Sequence, residues 1–393
     1  MFREIKPRIF YVGALDFDRR LFDELIPLPY GTSYNAYVIQ GSEKTALIDT
    51  VDPTKENVLI ENLKHLGLSR IDYVIAHHAE QDHSGVIPVI LKHFPEAKVV
   101  TNAKCKELLI RLLLIPEERF LVIRDHETLS LGNKTLEFIF APWVHWPETI
   151  LTYLKEDKIL FTCDFLGSHL ATSDLFVTDE CRYYDSAKRY YAEIMMPFRT
   201  NIRQHLEKLK DLQIEIIAPS HGPLHNRPDF IINAYRDWTS DRVKNEVVIP
   251  YVSMHGAVDA MVEYFCDRII SLGISVKPFN LTTTDLGELA MALVDAATLI
   301  IGTSAVLAGP HPQTIFAAYL VNVLRPKTKF LSIIASYGWG AKIVEKLTEL
   351  TSNLKVEVLD SVIAHGYPKK EDFMKLDALA EKIQIKHKEL GIL

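Results

Sequence analysis

The stretch that decides the fold of the first half of the chain is His78-Ala79-Glu80-Gln81-Asp82-His83. It comes directly after Ile71–Ala76, a short apolar run that predicts a buried strand. Because side chains alternate along an extended segment, positions 78, 80 and 82 are expected to point the same way, with position 83 projecting from the following turn. Carboxylates brought this close repel each other unless a cation lies between them. The stretch therefore predicts a metal site at the end of a strand.

Three further candidate ligands stand at the carboxyl ends of other predicted strands, where α/β folds usually place their sites. A lone histidine at a strand end is ordinarily a surface or core residue, so the prediction depends on the common placement of the whole set. Four imidazoles and three carboxylates suffice for two metals with one bridging carboxylate. The candidate metal ligands are His78, Glu80, Asp82, His83, His145, Asp164 and His221. Alternation turns His77 away, and we expect it to pack behind the site.

The identity of the metal depends mostly on Glu80. Nitrogen-rich ligand sets suit zinc, whereas mixed carboxylate–imidazole sets suit iron and manganese as well. The additional carboxylate favours iron modestly. No cysteine ligand is evident, because the four cysteines lie far apart without a CxxC pair. This spacing excludes a rubredoxin-type iron site, a ferredoxin-type cluster and a cysteine-based zinc ribbon, and it makes a disulfide framework improbable.

The composition indicates a cytoplasmic globular protein. The chain has 393 residues, of which 48% are hydrophobic and 24% charged, with a formal net charge of −7. This length suits two or three domains, and the acidic balance argues against a nucleic-acid partner. The N-terminus lacks an apolar signal segment. The uncharged stretch 296–324 is interrupted by Gly309-Pro310-His311-Pro312, so we expect a buried strand and helix there and no bilayer helix.

The chain is expected to divide near its polar segment Arg236–Glu246, into domains comprising residues 1–245 and 246–393. The first domain alternates strands and helices with His-rich loops, and Gly41-Ser42 predicts a hairpin turn between two of its strands. In the second domain, five predicted strands are each followed by a predicted helix. This regular alternation predicts an α/β fold with a doubly wound parallel sheet.

Glycine-bearing loops at the strand ends of the second domain predict a cofactor site. A glycine-bearing turn into a helix N-terminus favours a phosphate, because free backbone N–H groups and the helix dipole both attract an anion. An aromatic pair on the fourth such loop suits stacking on a flat ring. The candidate cofactor-binding residues are Ser253, Met254, His255, Gly256, Ala257, Val258, Thr303, Ser304, Ser336, Tyr337, Gly338, Trp339 and Gly340.

The motifs together resemble the flavodiiron proteins, or A-type flavoproteins, over essentially the whole chain. The motifs that carry the resemblance are Gly31-Thr32-Ser33-Tyr34-Asn35-Ala36-Tyr37, His78-x-Glu80-x-Asp82-His83, His145-Trp146-Pro147-Glu148, Cys163-Asp164-Phe165, Ser220-His221-Gly222 and Ser336-Tyr337-Gly338-Trp339-Gly340. The resemblance implies an αββα metallo-β-lactamase-like domain with a non-haem diiron site, followed by a flavodoxin-like domain with FMN. It implies reduction of O2 to water, or of NO to nitrous oxide.

The resemblance also implies a role for each ligand. The set that would bind one iron is His78, Glu80 and His145. The set that would bind the other is Asp82, His83 and His221, with Asp164 as the bridge. In some members of the family the residue that matches His83 is displaced from the metal. The family further implies a head-to-tail homodimer, or a dimer of such dimers, and a rubredoxin-like electron donor, because this chain has no cysteine pair of its own.

The flavin loops depart from the family pattern, and this departure leaves an alternative open. Ala257 and Val258 stand where the family usually has side-chain donors to the phosphate. Each lost hydrogen bond to a charged group is worth roughly 1.5–3 kcal/mol, so we expect weakened FMN binding. The alternative is a metal-dependent hydrolase of the metallo-β-lactamase superfamily with a flavin-free accessory domain. A vestigial, non-catalytic electron-carrier module is a third reading, disfavoured because all seven ligand positions are filled.

Overall fold

The computed structural model describes residues 2–393, and the chain forms two compact units. Unit 1 comprises the chain up to Tyr191 together with Phe198–Thr239, and unit 2 comprises Ala192–Pro197 together with Ser240–Leu393. The main division therefore falls after residue 239, before the boundary expected after residue 245. The reason is that the first long strand of unit 2 already begins at residue 244.

Unit 1 contains two large sheets with helices outside them. Its strands are β1 (Arg3–Lys6), β2 (Ile9–Tyr11), β3 (Ala14–Asp16), β4 (Leu21–Phe22), β5 (Ile26–Pro27), β6 (Thr32–Tyr34), β7 (Tyr37–Gln40), β8 (Thr45–Ile48), β9 (Tyr73–Ile75), β10 (Lys98–Thr101), β11 (Phe120–Val122), β12 (Thr128–Ser130), β13 (Thr135–Phe140), β14 (Ile150–Leu154), β15 (Ile159–Cys163) and β16 (Ile216–Pro219). Its α-helices are α1 (Glu56–His65), α2 (Gln81–Ser84), α3 (Ile87–His93), α4 (Ala103–Leu113), α5 (Glu180–Tyr190), α6 (Arg199–Leu209) and α7 (Pro228–Thr239).

The two sheets of unit 1 face each other across one apolar core. The first has the order β1-β2-β7-β8-β9-β10-β11 and the second β12-β13-β14-β15-β16. Side chains of both, such as Ile48 and Ile75 from the first and Phe138 and Phe161 from the second, form one buried cluster. A second cluster joins the outer face of the first sheet to α1, α3 and α4. On the second sheet, the α6 residue Lys208 donates from Nζ to the carbonyl of Phe140 at the end of β13. The layers are those of the expected αββα fold.

Two local predictions for unit 1 differ in their outcome. Strands β7 and β8 pair antiparallel through the Gly41-Ser42 turn, which confirms the predicted hairpin. The stretch 78–83, however, is not extended throughout. Glu80 is the N-cap of the four-residue helix α2, which carries Asp82 and His83. Alternation is therefore the wrong account of how these side chains converge: a helical turn aims the last two.

Unit 2 is a parallel sheet between helices. Its strands are β17 (Lys244–Val252), β18 (Ser275–Asn280), β19 (Ala296–Val306), β20 (Gly309–Pro310), β21 (Phe330–Tyr337), β22 (Glu357–Val358) and β23 (Val362–His365). Its α-helices are α8 (Ala257–Ser271), α9 (Leu286–Leu293), α10 (Pro312–Leu324), α11 (Ile343–Leu350) and α12 (Lys370–Glu389). The sheet order is β18-β17-β19-β21, with β22 and β23 both parallel to β21. This order is the flavodoxin-like one, and it confirms the predicted doubly wound sheet.

Separate apolar clusters lie on the two faces of this sheet. One contains residues of α8 and α12, and the other contains residues of α9, α10 and α11. Helices of both groups are therefore needed to bury the nearly continuous hydrophobic strands.

The third strand of unit 2 is longer than the sequence indicated. The apolar run Leu299–Ser304 predicts this strand, but β19 continues to Val306 and pairs antiparallel with β20. The turn between them consists of Leu307 and Ala308, which both have positive φ. Neither residue is a turn former of the Asn-Gly type, so the sequence carried no signal for this hairpin.

No helix within residues 2–393 is both long enough and apolar enough to cross a membrane. The uncharged stretch 296–324 instead forms β19, β20 and α10, as the interruption at its centre predicted.

Candidate metal centre

The seven candidate ligands converge although they come from distant parts of unit 1. His78 follows β9, Asp164 follows β15 directly, and His221 lies two residues after β16. His145 lies in the loop between β13 and β14, and the two ligands of α2 complete the group with Glu80. The site thus forms where chain segments leave the ends of strands in both sheets.

One half of the site is formed around Glu80. Its Oε2 lies 3.3 Å from Nε2 of His78 and 3.0 Å from Nε2 of His145. These three side chains and Asp164 present one ligand atom each within 4.8 Å of one another. They are the residues expected to bind one metal.

The other half of the site is formed around Asp82. Its Oδ2 lies 3.2 Å from Nε2 of His83 and 3.1 Å from Nε2 of His221. The ligand atoms of these three also lie within 4.8 Å of one another, and all three side chains are buried. His83, the residue whose participation the sequence left open, directs Nε2 into the site.

Asp164 joins the two halves. Its Oδ2 lies 3.0 Å from Nε2 of His78 and 3.2 Å from Nε2 of His145. Its Oδ1 lies 3.1 Å from Nε2 of His83 and 3.3 Å from Nε2 of His221. Each carboxylate oxygen therefore faces a different half, which is the geometry of a carboxylate that bridges two metals.

Buried polar atoms without a hydrogen bond show that the residues fit a metal pair. The fully buried atoms that lack a hydrogen-bond partner include His78 Nε2, both oxygens of Asp82, His83 Nε2 and Asp164 Oδ1. Buried polar groups of proteins are nearly always paired, and here several unpaired ones point at one another. Cations between them would satisfy all of these atoms at once.

The raised pKa values of two histidines in the site also indicate that the site favours a cation. Burial alone would lower the pKa of His221, but the neighbouring carboxylates of Asp164 and Asp82 outweigh it and raise that pKa to about 10. Burial is likewise outweighed at His145, whose pKa rises to about 9 beside Asp164 and Glu80. The site therefore favours positive charge at these imidazoles, which metal ions would supply in place of protons.

Solvent reaches the site from one side. The side chains of His145 and Glu80 are 18% and 15% exposed, whereas those of Asp164, Asp82 and His221 are at most 5% exposed. A small substrate would therefore enter at the Glu80 half.

Residues behind the ligands fix their orientation. His77 donates from Nδ1 to Asp49 Oδ2 at 2.7 Å and accepts at Nε2 from Thr152 Oγ1 at 2.8 Å, so it packs behind the site as expected. His221 donates from Nδ1 to the carbonyl of Ser33 at 2.6 Å. Such contacts fix the ring and its tautomer, which leaves Nε2 for the metal.

Sequence reasoning missed the short hairpin β4–β5 beside the metal centre. Its buried Phe22 places its ring centroid 5.1 Å from that of His169 and 6.2 Å from that of His221. Burial and the carboxylates of Glu80 and Asp82 raise the pKa of Asp23, at the hairpin tip, to about 6. Strands of two residues carry no readable periodicity, so no signal in the sequence pointed to them.

His169 and Tyr190, which lie near the site, were also not predicted from the sequence. The ring centroid of His169 lies 4.9 Å from that of His221 and 4.8 Å from that of Tyr190. Burial, helped by the neighbouring His221, lowers the pKa of His169, so its imidazole stays neutral. His169 is bonded to Thr32 Oγ1 through Nδ1 at 2.9 Å. It is not among the groups that converge as ligands.

Unit 2 contains a separate cavity of about 490 Å³ at the carboxyl ends of its strands. The predicted cofactor residues that line it are Met254, His255, Ala257, Ser304, Ser336, Tyr337, Gly338 and Trp339. Residues that line it without having been predicted are Ala305, Val306, Leu307, Gly366 and Tyr367. The last two belong to the loop after β23, and the first three to the unpredicted hairpin.

The remaining predicted cofactor residues lie outside the lining. Val258 and Thr303 are fully buried. Ser253 accepts a hydrogen bond from the backbone N–H of Asp259, and Gly256, with φ of 78°, is the N-cap of α8 without a side-chain cap. The N–H groups of Ala257 and Val258, the first two residues of α8, thus remain available to an anion, whereas that of Asp259 is bonded to Ser253. Gly340 follows the lining residues of its loop without being one of them.

The fold and the site together define a class of protein: a metallo-β-lactamase-like unit with a candidate two-metal centre, followed by a flavodoxin-like unit with a cavity at its strand ends. Comparison with known proteins narrows this class. A model of the ODP family beta lactamase matches residues 32–222. The nitric oxide reductase of Moorella thermoacetica is 33% identical over 385 residues, which cover 95% of this chain and 96% of that protein.

Two further comparisons show similarity to proteins of the same kind over nearly the whole chain. The flavo-diiron protein FprA2 of Clostridium acetobutylicum is 31% identical, with 95% of this chain and 96% of that protein covered. The structure of rubredoxin oxygen:oxidoreductase from Desulfovibrio gigas superposes with a TM-score of 0.95 at 25% identity, covering 99% of each chain. The chain belongs to the flavodiiron protein family, a family of oxidoreductases that carry a diiron site and FMN.

Proposed function

We propose that this chain is a flavodiiron reductase that reduces O2 to water or NO to nitrous oxide, with electrons passed through FMN to a non-haem diiron site. The observation that carries the proposal is the paired arrangement of the ligands about Asp164. Each half has two imidazoles and one terminal carboxylate, and each faces one oxygen of the shared carboxylate. Two metals held in this way typically lie about 3.5–4 Å apart, which suits a diatomic substrate.

In this proposal, residues 1–245 hold the metals and residues 246–393 hold the flavin. The set for one iron is His78, Glu80 and His145, the set for the other is Asp82, His83 and His221, and Asp164 bridges them. Iron would supply the change of oxidation state that zinc cannot. The chain itself orients the ligands, and it leaves the Glu80 half open to solvent.

The cavity of unit 2 supports the flavin assignment. Its volume of about 490 Å³ lies in the usual range for ligand sites. Backbone N–H groups at the start of α8 would receive the phosphate. Trp339, which is 69% exposed, offers a face to the ring system. Ala257 supplies no side-chain donor, which supports weakened FMN binding and keeps the flavin-free hydrolase as the second candidate.

The partners proposed are O2 or NO as substrate and a rubredoxin-like protein as electron donor. The names of two relatives, a nitric oxide reductase and a rubredoxin oxygen:oxidoreductase, support this pair of substrates and this type of donor. We further propose a head-to-tail homodimer or a dimer of such dimers in the cytoplasm. Sedimentation of the purified protein would give its oligomeric state.

The test begins with metal and flavin content of protein produced with iron supplied. Two irons and one FMN per chain are expected. The reduced protein is then mixed anaerobically with O2 or with NO, and consumption of O2 and formation of nitrous oxide are followed. Zinc in place of iron, together with an absent flavin spectrum and hydrolysis of an ester or lactam, would establish the hydrolase instead.

A further inference from the structure

The two halves of the metal centre have equivalent sets of ligands but differ behind them. Each half combines two imidazoles and one terminal carboxylate with an oxygen of Asp164. Ligand type therefore gives the two metals no reason to behave differently. Behind the ligands, Nδ1 of His83 has no hydrogen-bond partner, whereas Nδ1 of His78 and Nδ1 of His221 each have one, and those two partners differ in kind.

His78 has a sulfur partner. Its Nε2 faces Glu80 and Asp164, so a metal takes that nitrogen and the ring proton must reside on Nδ1. The hydrogen-bond partner of Nδ1 is Sγ of Cys163, at 3.5 Å, and both side chains are fully buried. Backbone geometry holds the thiol there: Cys163 is the last residue of β15 and has a φ of 53°.

The corresponding nitrogen of His221 has an oxygen partner. Nδ1 of His221 donates to the carbonyl of Ser33 at only 2.6 Å. A carbonyl oxygen is a strong acceptor, whereas sulfur is a weak one. A strong acceptor behind a metal-bound imidazole raises its basicity, and a weak acceptor leaves it a poorer donor to the metal.

We propose that Cys163 is a positioning residue that holds the reduction potential of the metal in the His78 half above the value that an oxygen acceptor would give, through its sulfur contact with His78 Nδ1. The inference rests on the proposed diiron function. A less basic imidazole stabilises the lower oxidation state of its iron, so the reduction potential of that iron rises.

Two substitutions at one position test the direction of the effect. Cys163→Ala removes the acceptor and is expected to raise the reduction potential of the iron in the His78 half. Cys163→Ser supplies an oxygen acceptor and is expected to lower it. Both potentials are measured by a redox titration of the iron-loaded protein, with the mixed-valent state followed by electron paramagnetic resonance. If Cys163 had a purely structural role, both substitutions would shift the reduction potential in the same direction. Either that result or unchanged potentials in both variants would overturn the proposal.

Cys105→Ser is the matched control, because Cys105 is an equally buried thiol in unit 1 that hydrogen-bonds with the side chain of Thr101. Its substitution is expected to leave both reduction potentials unchanged.

A measurement on zinc-loaded protein separates this inference from the proposed function. In ¹⁵N-labelled zinc protein, the Nδ1–H resonance of His78 is expected to move to lower field in Cys163→Ser. In Cys163→Ala it is expected to move to higher field or to be lost to exchange. An unchanged resonance in both variants shows that Cys163 is not the acceptor. If the Nδ1–H resonance shifts as expected but the protein binds no iron, the contact between Cys163 and His78 is supported and the proposed diiron function is not.

Discussion

Asn35 holds the loop that carries His221. Nδ2 of Asn35 donates to the carbonyl oxygens of Pro219 and Gly222, each at 2.8 Å, so one buried amide clamps the chain on both sides of the ligand. Gly222 completes this tight loop: its φ is 81°, and a Cβ there would lie 2.4 Å from Oγ of Ser168. The position of one proposed metal ligand thus depends on a side chain that is not itself a proposed ligand.

Removing this clamp is expected to loosen one half of the metal centre. Asn35→Ala should weaken binding in the Asp82–His221 half by about 10–100-fold, the usual effect of losing an outer contact to a ligand. Stepwise metal titration of metal-free protein measures the two affinities separately. Asn62→Ala is the matched control, because Asn62 clamps the carbonyls of Val12 and Gly13 in the same way. Equal losses of metal affinity in both variants would contradict a local effect.

Substitution of the bridge is expected to affect both metals. Asp164→Asn replaces an anion between two cations with a neutral amide, so occupancy should fall in both halves together. Metal analysis after dialysis gives the ratio of metal to chain. The control is Asp72→Asn, at a buried aspartate that accepts hydrogen bonds from Lys44 and the backbone of Thr45. If Asp164→Asn retains two metals per chain at neutral pH, Asp164 is not the bridging ligand.

Glu80→His is expected to change the metal that the site selects. A third imidazole in that half makes the ligand set richer in nitrogen, which suits zinc, and reductase activity should be lost because zinc does not change oxidation state. Metal-free protein is offered iron(II) and zinc(II) together under anaerobic conditions, and the bound metals are then counted. Glu80→Asp, which keeps the carboxylate, serves as the control. Unchanged iron content and turnover in Glu80→His would show that Glu80 does not determine the choice.

Flavin affinity is expected to rise in Ala257→Asn, because Ala257 lines the cavity beside the first turn of α8. One added donor to a phosphate should tighten binding by roughly 1.5–3 kcal/mol, or about one to two decades in Kd. Val258→Thr should give no gain, since Val258 is fully buried in the core. Fluorescence titration of flavin-free protein with FMN measures each variant. Native protein that keeps stoichiometric FMN through dialysis would show that the missing donor is unnecessary.

The stacking face of the same cavity gives an independent prediction. Trp339→Ala should weaken FMN binding in both the native and the Ala257→Asn background, because the ring system loses an aromatic contact. Phe316→Ala, at an exposed aromatic of α10 outside the cavity lining, should leave Kd unchanged. An equal Kd for native protein and Trp339→Ala would exclude stacking on this residue.

His387 predicts a dependence of stability on pH. Its Nδ1 donates to Asn245 Oδ1 and its Nε2 accepts from Thr298 Oγ1, each at 2.8 Å, so the neutral ring is fully bonded. Burial lowers its pKa from 6.5 to about 4. Since the unfolded chain takes up the proton first, this group destabilises the fold progressively as the pH falls from 6.5 to about 4, and has no effect above 6.5.

Urea unfolding of native protein and His387→Gln at pH 7.5 and pH 5 measures this effect. The free energy of unfolding should fall more steeply with acid in the native protein than in the variant. His65→Gln, at an exposed histidine of α1, should retain the native pH dependence. If the free energy of unfolding falls equally with acid in native protein and in His387→Gln, His387 is not the source of the pH dependence.

The convergence of the proposed ligands could be predicted because several of them follow recognisable strands. Buried strands such as β15 are readable from their apolar runs, and Asp164 and His221 follow such strands closely. The β4–β5 hairpin that carries Phe22 to the site was not predictable, because its strands have two residues each. The continuation of β19 beyond Ser304 was hidden for a different reason: pairing with β20 across a turn of Leu307 and Ala308 overrides local preference. Contacts such as Cys163 with His78 arise only when two sheets come together.

The order of the ligands along the chain bears on how the protein acquires its metals. Each half combines an early ligand with a late one: His78 with Asp164, and Asp82 with His221. A nascent chain is made at roughly 5–20 residues per second, so about 140 residues and on the order of ten seconds separate the first ligand from the last. During that interval the stretch 78–83 is available to any divalent cation in the cell without the partners that select among them. A metal bound during that interval would have to leave before the selected pair could bind, and the Glu80 half, the less buried of the two, is the side from which it could leave.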